Sequence, residues 1–178
     1  VYALFHMMGV SPKYVLDHLV PGERQYYSRY RGFLISNRLT EETRETWRRM
    51  RSLSPEKNEY LRYCDYLIQE GEVRDALLVW DDFKKGFIGK IAEEDPENMI
   101  WNGSFEIDIQ NGGFDWRVGR AEGVRIFRDS DVKKNGEVSL NVNFDGEHNP
   151  EIPIIRQVVP VEPGQSYRVT AYVKTENI

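Results

Sequence analysis

The spacing of apolar residues changes partway along this 178-residue chain, and that change constrains its fold more than any other feature. Up to about residue 88 they recur at three- and four-residue intervals, the period of a helix laid against a core. Beyond about residue 99 they alternate, one side and then the other, the period of a strand. Helical and strand periods held in separate blocks describe an α+β multidomain chain. We read residues 1–92 as helical, 93–98 as a linker and 99–178 as an incomplete antiparallel β-sandwich.

The helical block carries its own punctuation. Pro12 and Pro21-Gly22 break up its start, and Ser11-Pro12 suits an N-cap followed by proline at the first helical position. Thr40 is placed to cap a helix that runs through Trp47 and Met50, with Thr43 where a capping-box glutamate would stand. Ser54 is placed to cap the next helix, with Pro55 and Glu56 in its first turn. Tyr60, Tyr63, Cys64 and Leu67 then fall on one helical face, Glu70-Gly71 interrupts, and Ala76, Leu77, Trp80 and Phe83 resume the pattern. This predicts a helical hairpin over about 55–88, brought close by the small residues Cys64 and Ala76.

The second block begins after the acidic, proline-containing stretch Ala92–Asn98. Strand signals lie at Arg125–Arg128, Val138–Phe144, Ile154–Val161 and Tyr167–Lys174, and turn signals at Asn111-Gly-Gly113, Asn135-Gly136, Asp145-Gly146 and Pro163-Gly164. In Val138–Phe144 the valines, Leu140 and Phe144 point one way, and Ser139, Asn141 and Asn143 the other.

Two resemblances follow from these residues. Cys64, Leu67, Ala76 and Trp80 stand where a tetratricopeptide repeat, a helical hairpin of ~34 residues, places its small, large, alanine and aromatic positions. Tyr60 replaces the usual tryptophan, no clear proline closes the unit, and no second copy is in register. The β block resembles carbohydrate-binding modules of the galactose-binding-like jelly-roll type. The matching motifs are Asn98–Glu106, Gly112–Trp116, Gly136–Leu140 and Val158–Tyr167, in family order. The combination resembles bacterial proteins that join helical repeats to such a domain, which implies an extracytoplasmic location. A jelly roll needs about eight strands. This chain shows five or six, so the resemblance implies a domain without its closing strands, and an open sheet edge that invites pairing with another chain. Val1 opens the chain with neither initiator methionine nor basic leader, and a piece of a longer protein is expected.

Sugar recognition calls for aromatic platforms flanked by amides and carboxylates. The candidates are Trp101, Trp116, Asn141, Asn143, Asp145 and His148, with Glu147 and Asn149 beside them; each also reads as core, turn or solvated strand face. The resemblance further implies a structural calcium, with Glu106 as a ligand. Asp129–Gly136 looks superficially like a calcium loop, but Lys133 and Lys134 occupy positions that need an oxygen ligand and a glycine. No nucleophile elbow, phosphate-binding loop or zinc-protease motif is present, and His6, His18 and His148 are scattered. We therefore expect a non-enzyme without a required cofactor. A net charge of −5 argues against nucleic acid, which wants a basic face. No apolar run approaches the ~20 residues that span a bilayer. The single cysteine, Cys64, excludes an intrachain disulfide and leaves the compartment open. Asn102-Gly-Ser104 also matches a glycosylation acceptor. Two functions remain: a helical scaffold with a glycan-binding jelly roll, or a protein–protein assembly module whose sandwich binds no sugar.

Overall fold

In the computed structural model, residues 1–89 and 98–176 are described. The expected linker at 93–98 lies outside the described residues except for Asn98. The chain divides into two compact units, Val1–Phe87 and Ile88–Ile178. It is a mixed α+β protein; among the described residues the α-helices lie in the first unit and the short antiparallel strands in the second. No helix among the described residues is long and apolar enough to cross a membrane.

The helical unit contains α1 (Tyr2–Met7), α2 (Pro12–His18), α3 (Arg24–Ser36), α4 (Thr40–Arg51), α5 (Lys57–Gln69) and α6 (Val73–Phe83), followed by a π-helical turn, Lys84–Ile88. Ser11 caps α2 as its sequence predicts, its hydroxyl accepting from the Tyr14 amide at 3.2 Å. The other two caps are corrections. Leu39 precedes α4, and Thr40 instead turns its hydroxyl to the Tyr66 phenol at 2.9 Å. Glu56 precedes α5, where its amide donates to the Glu59 carboxylate at 2.7 Å in a capping box. Ser54 is a left-handed corner with φ 51°. In each case a side chain has a stronger tertiary or reciprocal partner than the cap the sequence offered.

Between α5 and α6 the helix terminates by backbone chemistry. The Gly71 amide donates to the Ile68 carbonyl and the Glu72 amide to the Leu67 carbonyl, at 3.2 and 2.9 Å. This doubly bonded cap places Gly71 at φ 78°, a conformation glycine adopts without Cβ strain. Across the hairpin the Cys64 sulfur lies 3.5 Å from the Ala76 carbonyl, and both residues are buried. Tyr63, Leu67, Val79, Trp80 and Phe83 fill the same core. Leu77, expected on this face, is exposed, and Val79 takes the inward position. Trp80 stacks on Phe83 with ring centroids 4.9 Å apart.

The β unit holds β1 (Arg117–Val118), β2 (Val124–Asp129), β3 (Ser139–Phe144) and β4 (Ile155–Arg156). They form two separate two-stranded antiparallel sheets, β1 with β4 and β2 with β3. Of the expected strand Ile154–Val161 only Ile155–Arg156 is paired, and Tyr167–Lys174 is in no sheet. An alternating sequence becomes a strand only when another chain segment supplies hydrogen-bond partners, and among the described residues none does so there. Pro163-Gly164 does make its turn, with Gly164 at φ 80° and the Gln165 amide 3.4 Å from the Glu162 carbonyl.

The core of this unit is built around a turn. Trp101, Asn102, Phe114 and Asp115 are buried. The Asn102 side chain both donates to the Ile107 carbonyl (2.8 Å) and accepts from its amide (3.1 Å). Its own carbonyl accepts from the Trp116 indole at 3.0 Å.

Candidate functional site

The β2–β3 ladder sets the geometry. Phe127 lies opposite Asn141, Arg125 opposite Asn143, and Asp129 opposite Ser139. Directly paired residues of an antiparallel ladder share a face. One face therefore carries Arg125, Phe127, Asp129, Ser139, Asn141 and Asn143; the other carries Val124, Ile126, Arg128, Leu140, Val142 and Phe144. On this second face Val124, Ile126, Leu140 and Val142 are partly covered, and Arg128 and Phe144 are exposed. On the polar face Phe127 is 47% exposed, and Arg125 and Asn143 are exposed beside it. The Asn141 amide donates to the Asp129 carboxylate at 3.0 Å. The other Asp129 oxygen accepts from the Asp131 and Val132 amides, at 2.8 and 3.3 Å. These bonds, the Asn141 one foremost, hold the Asp129 pKa below the usual carboxylate value.

Where β3 ends, Asp145 organises a loop. It accepts from the Glu147 amide at 2.9 Å and the His148 amide at 3.1 Å, and it touches the His148 ring at 2.7 Å. These contacts, led by the Glu147 amide, lower its pKa. The far nitrogen of His148 lies 3.4 Å from the Glu122 carboxylate. Asp145, Glu147 and His148 offer ligand atoms within 4.8 Å of one another, all exposed.

The sequence candidates thus separate. Asn141 and Asn143 share one face, and the loop carrying Asp145 and His148 continues from the end of their strand. Trp101 and Trp116 belong to the core turn instead. Trp101 is buried and its carbonyl accepts from the Gln157 side chain at 2.7 Å. Trp116 is half-buried, tilted at 35° against Phe105 with ring centroids 5.3 Å apart, and tied to Asn102. Glu106 is a loop clasp: its Oε1 accepts from the Glu137 amide at 2.8 Å, and a side chain at Gly136 would collide with it. Calcium at Glu106 therefore rests on the resemblance alone. The glycosylation motif is overturned as an acceptor in the folded chain, because Asn102 is 2% exposed and its amide nitrogen is bonded. Phe127 and Arg125 were missed as site residues. Arg125–Arg128 reads as a strand in the sequence, but which of its residues faces the two asparagines depends on register, which only the pairing fixes.

No family model, curated protein or solved structure matches this chain.

Proposed function

We propose that this chain is a non-catalytic binding protein whose β unit takes a glycan on the polar face of the β2–β3 hairpin. The observation that carries this reading is the exposed Phe127 ring set among Arg125, Asp129, Asn141 and Asn143. The apolar face of a pyranose stacks on an aromatic ring, while amides, a carboxylate and a guanidinium reach its hydroxyls. The helical unit acts as a scaffold of tetratricopeptide type, a reading supported by the close Cys64–Ala76 approach. The β unit is the opening part of a carbohydrate-binding jelly roll, a reading supported by the order of its four motifs. The same resemblance favours an extracytoplasmic setting. A glycan array with the full chain, repeated with Phe127→Ala, tests the site. Saccharide retention by the wild type, lost in the variant, is expected. No retained saccharide, or retention unaffected by the substitution, overturns it.

A second reading is favoured by a separate observation. Val169, Tyr172 and Val173 are 82%, 73% and 80% exposed, in the segment Tyr167–Lys174, whose alternation predicts a strand. An assembly module would pair this segment with a protein partner's sheet edge. Sedimentation velocity on the chain alone and with a candidate partner separates the readings. A persistent monomer that leaves Val169→Lys without effect on any complex rules out the second.

A further inference from the structure

We propose that Asn135-Gly136, in the loop between β2 and β3, is a self-modification site: in the folded chain Asn135 deamidates to isoaspartate, and the product releases the Glu106 clasp. The chain has three Asn-Gly steps, beginning at Asn102, Asn111 and Asn135. Glycine after asparagine leaves the backbone nitrogen unshielded by a Cβ, so that nitrogen can reach the side-chain amide carbon. The three are alike in sequence, and their surroundings separate them.

Two of the steps are held. Asn102 is 2% exposed, and its side chain donates to the Ile107 carbonyl at 2.8 Å and accepts from the Ile107 amide at 3.1 Å. The Asn111 side chain accepts from the Val118 amide at 2.9 Å, and the following Gly112 is buried. Each of these side chains must leave its bonds before its carbon can meet the glycine nitrogen. Asn135 and Gly136 are both exposed. Among the described residues, neither the Asn135 side chain nor the Gly136 amide makes a hydrogen bond. Gly136 lies at φ 73°, and a side chain there would collide with Glu106 Oε1, so the fold requires a glycine at the reactive step.

The reaction needs only water. The Gly136 nitrogen gives up its proton and attacks the Asn135 Cγ; the new C–N bond closes a succinimide ring, and the Asn135 amide nitrogen leaves as ammonia. Water then opens the ring. Opening at the Asn135 main-chain carbonyl leaves isoaspartate, in which the main chain runs through the former side chain and is longer by a methylene. The next two amides along, of Glu137 and Val138, are those that donate to Glu106 Oε1, at 2.8 and 3.4 Å. A longer main chain displaces both, and the bonds that tie this loop to Glu106 open.

The test is to age the full chain in mildly alkaline buffer, both folded and in urea. Peptide mapping by mass spectrometry, with isoaspartyl methyltransferase labelling, locates the product. In the folded chain Asn135 should convert at least about tenfold faster than Asn102 or Asn111, and in urea the rates should converge. Asn135→Gln, whose longer side chain disfavours the ring, should remove the product from that peptide. In the isoaspartyl form, separated by ion exchange, hydrogen exchange at the Glu137 and Val138 amides should quicken at least about tenfold. Conversion of Asn135 in the folded chain no faster than that of Asn102 and Asn111 overturns the proposal. So does product that persists in Asn135→Gln, or exchange that is unchanged in the isoaspartyl form; the loop is then an ordinary solvated turn.

Discussion

The two units bury their apolar residues in different ways. In the helical unit Tyr30, Leu34, Met50, Tyr63, Leu67 and Phe83 are fully enclosed. Among the described residues of the β unit, the side chain so completely enclosed is that of Asp115, a carboxylate. A helix satisfies its own backbone, so an amphipathic stripe needs only another stripe to cover it. A strand needs a hydrogen-bonded neighbour as well as a covered face, and two-stranded sheets supply little of either. The helical unit is therefore held by packing, and the β unit by polar knots at Asn102, Asp115 and Glu106.

The largest expected effect tests the packing side of this contrast. Phe83→Ala removes a ring with no exposure and should cost ~3–5 kcal/mol, read from guanidinium unfolding followed by helical circular dichroism. A cost near that of a surface substitution would break the comparison. Next, Asn102→Ala leaves the Ile107 amide and carbonyl without their side-chain partner, and about 1–3 kcal/mol should be lost from the β unit. Near-UV dichroism of Trp101 and Trp116 during urea unfolding measures it, and helical signal lost in step would show that the units unfold together. A smaller change, about 1 kcal/mol, is expected for Gly71→Ala, whose Cβ has open space but whose φ of 78° is unfavourable. An unchanged unfolding midpoint would show that the turn relaxes.

Protonation sharpens the contrast with the smallest effects. Burial raises the Asp115 pKa in the folded chain, against the pull of the Gln110 amide and others. Its contribution to stability is present below the ordinary carboxylate value and is lost as pH rises through the raised one. Asp17 in the helical unit is opposite. Hydrogen bonds from Lys13 and Arg49 lower its pKa from 3.8 to about 2, so its contribution is present above 3.8 and lost as pH falls through about 2. Thermal melts should show Asp115→Asn gaining on the wild type at pH 7 but not at pH 3, and Asp17→Asn losing at pH 7 but not at pH 2. The same sign of change in both variants would remove the distinction.

Legibility in the sequence followed this division. The α5–α6 hairpin was readable because its period, Gly71 turn and small Cys64–Ala76 pair are all local signals. The errors in the helical unit were at caps, where Thr40 found Tyr66 and Glu56 found Glu59, and at Leu77, which is exposed while Val79 turns inward. In the β unit the turns at Gly136, Gly146 and Gly164 were readable, each a positive-φ glycine. The extent of pairing was not, since Tyr167–Lys174 alternates as clearly as β3 does and yet lies in no sheet. Of the candidate site, Asn141 and Asn143 were legible from alternation, whereas Phe127 was not, because its place depends on register.

The sequence by itself determined the block of helices, the block of alternating residues and the order of the turns, because periodicity and glycine conformation act over a few residues. Tertiary structure decided which alternating segments pair, that Trp101 and Trp116 serve a core turn, that Phe127 faces the asparagines, and that Arg31 is buried beside Trp47. Each of these depends on residues distant in the chain competing for the same hydrogen bonds or the same space, and no local pattern records who wins.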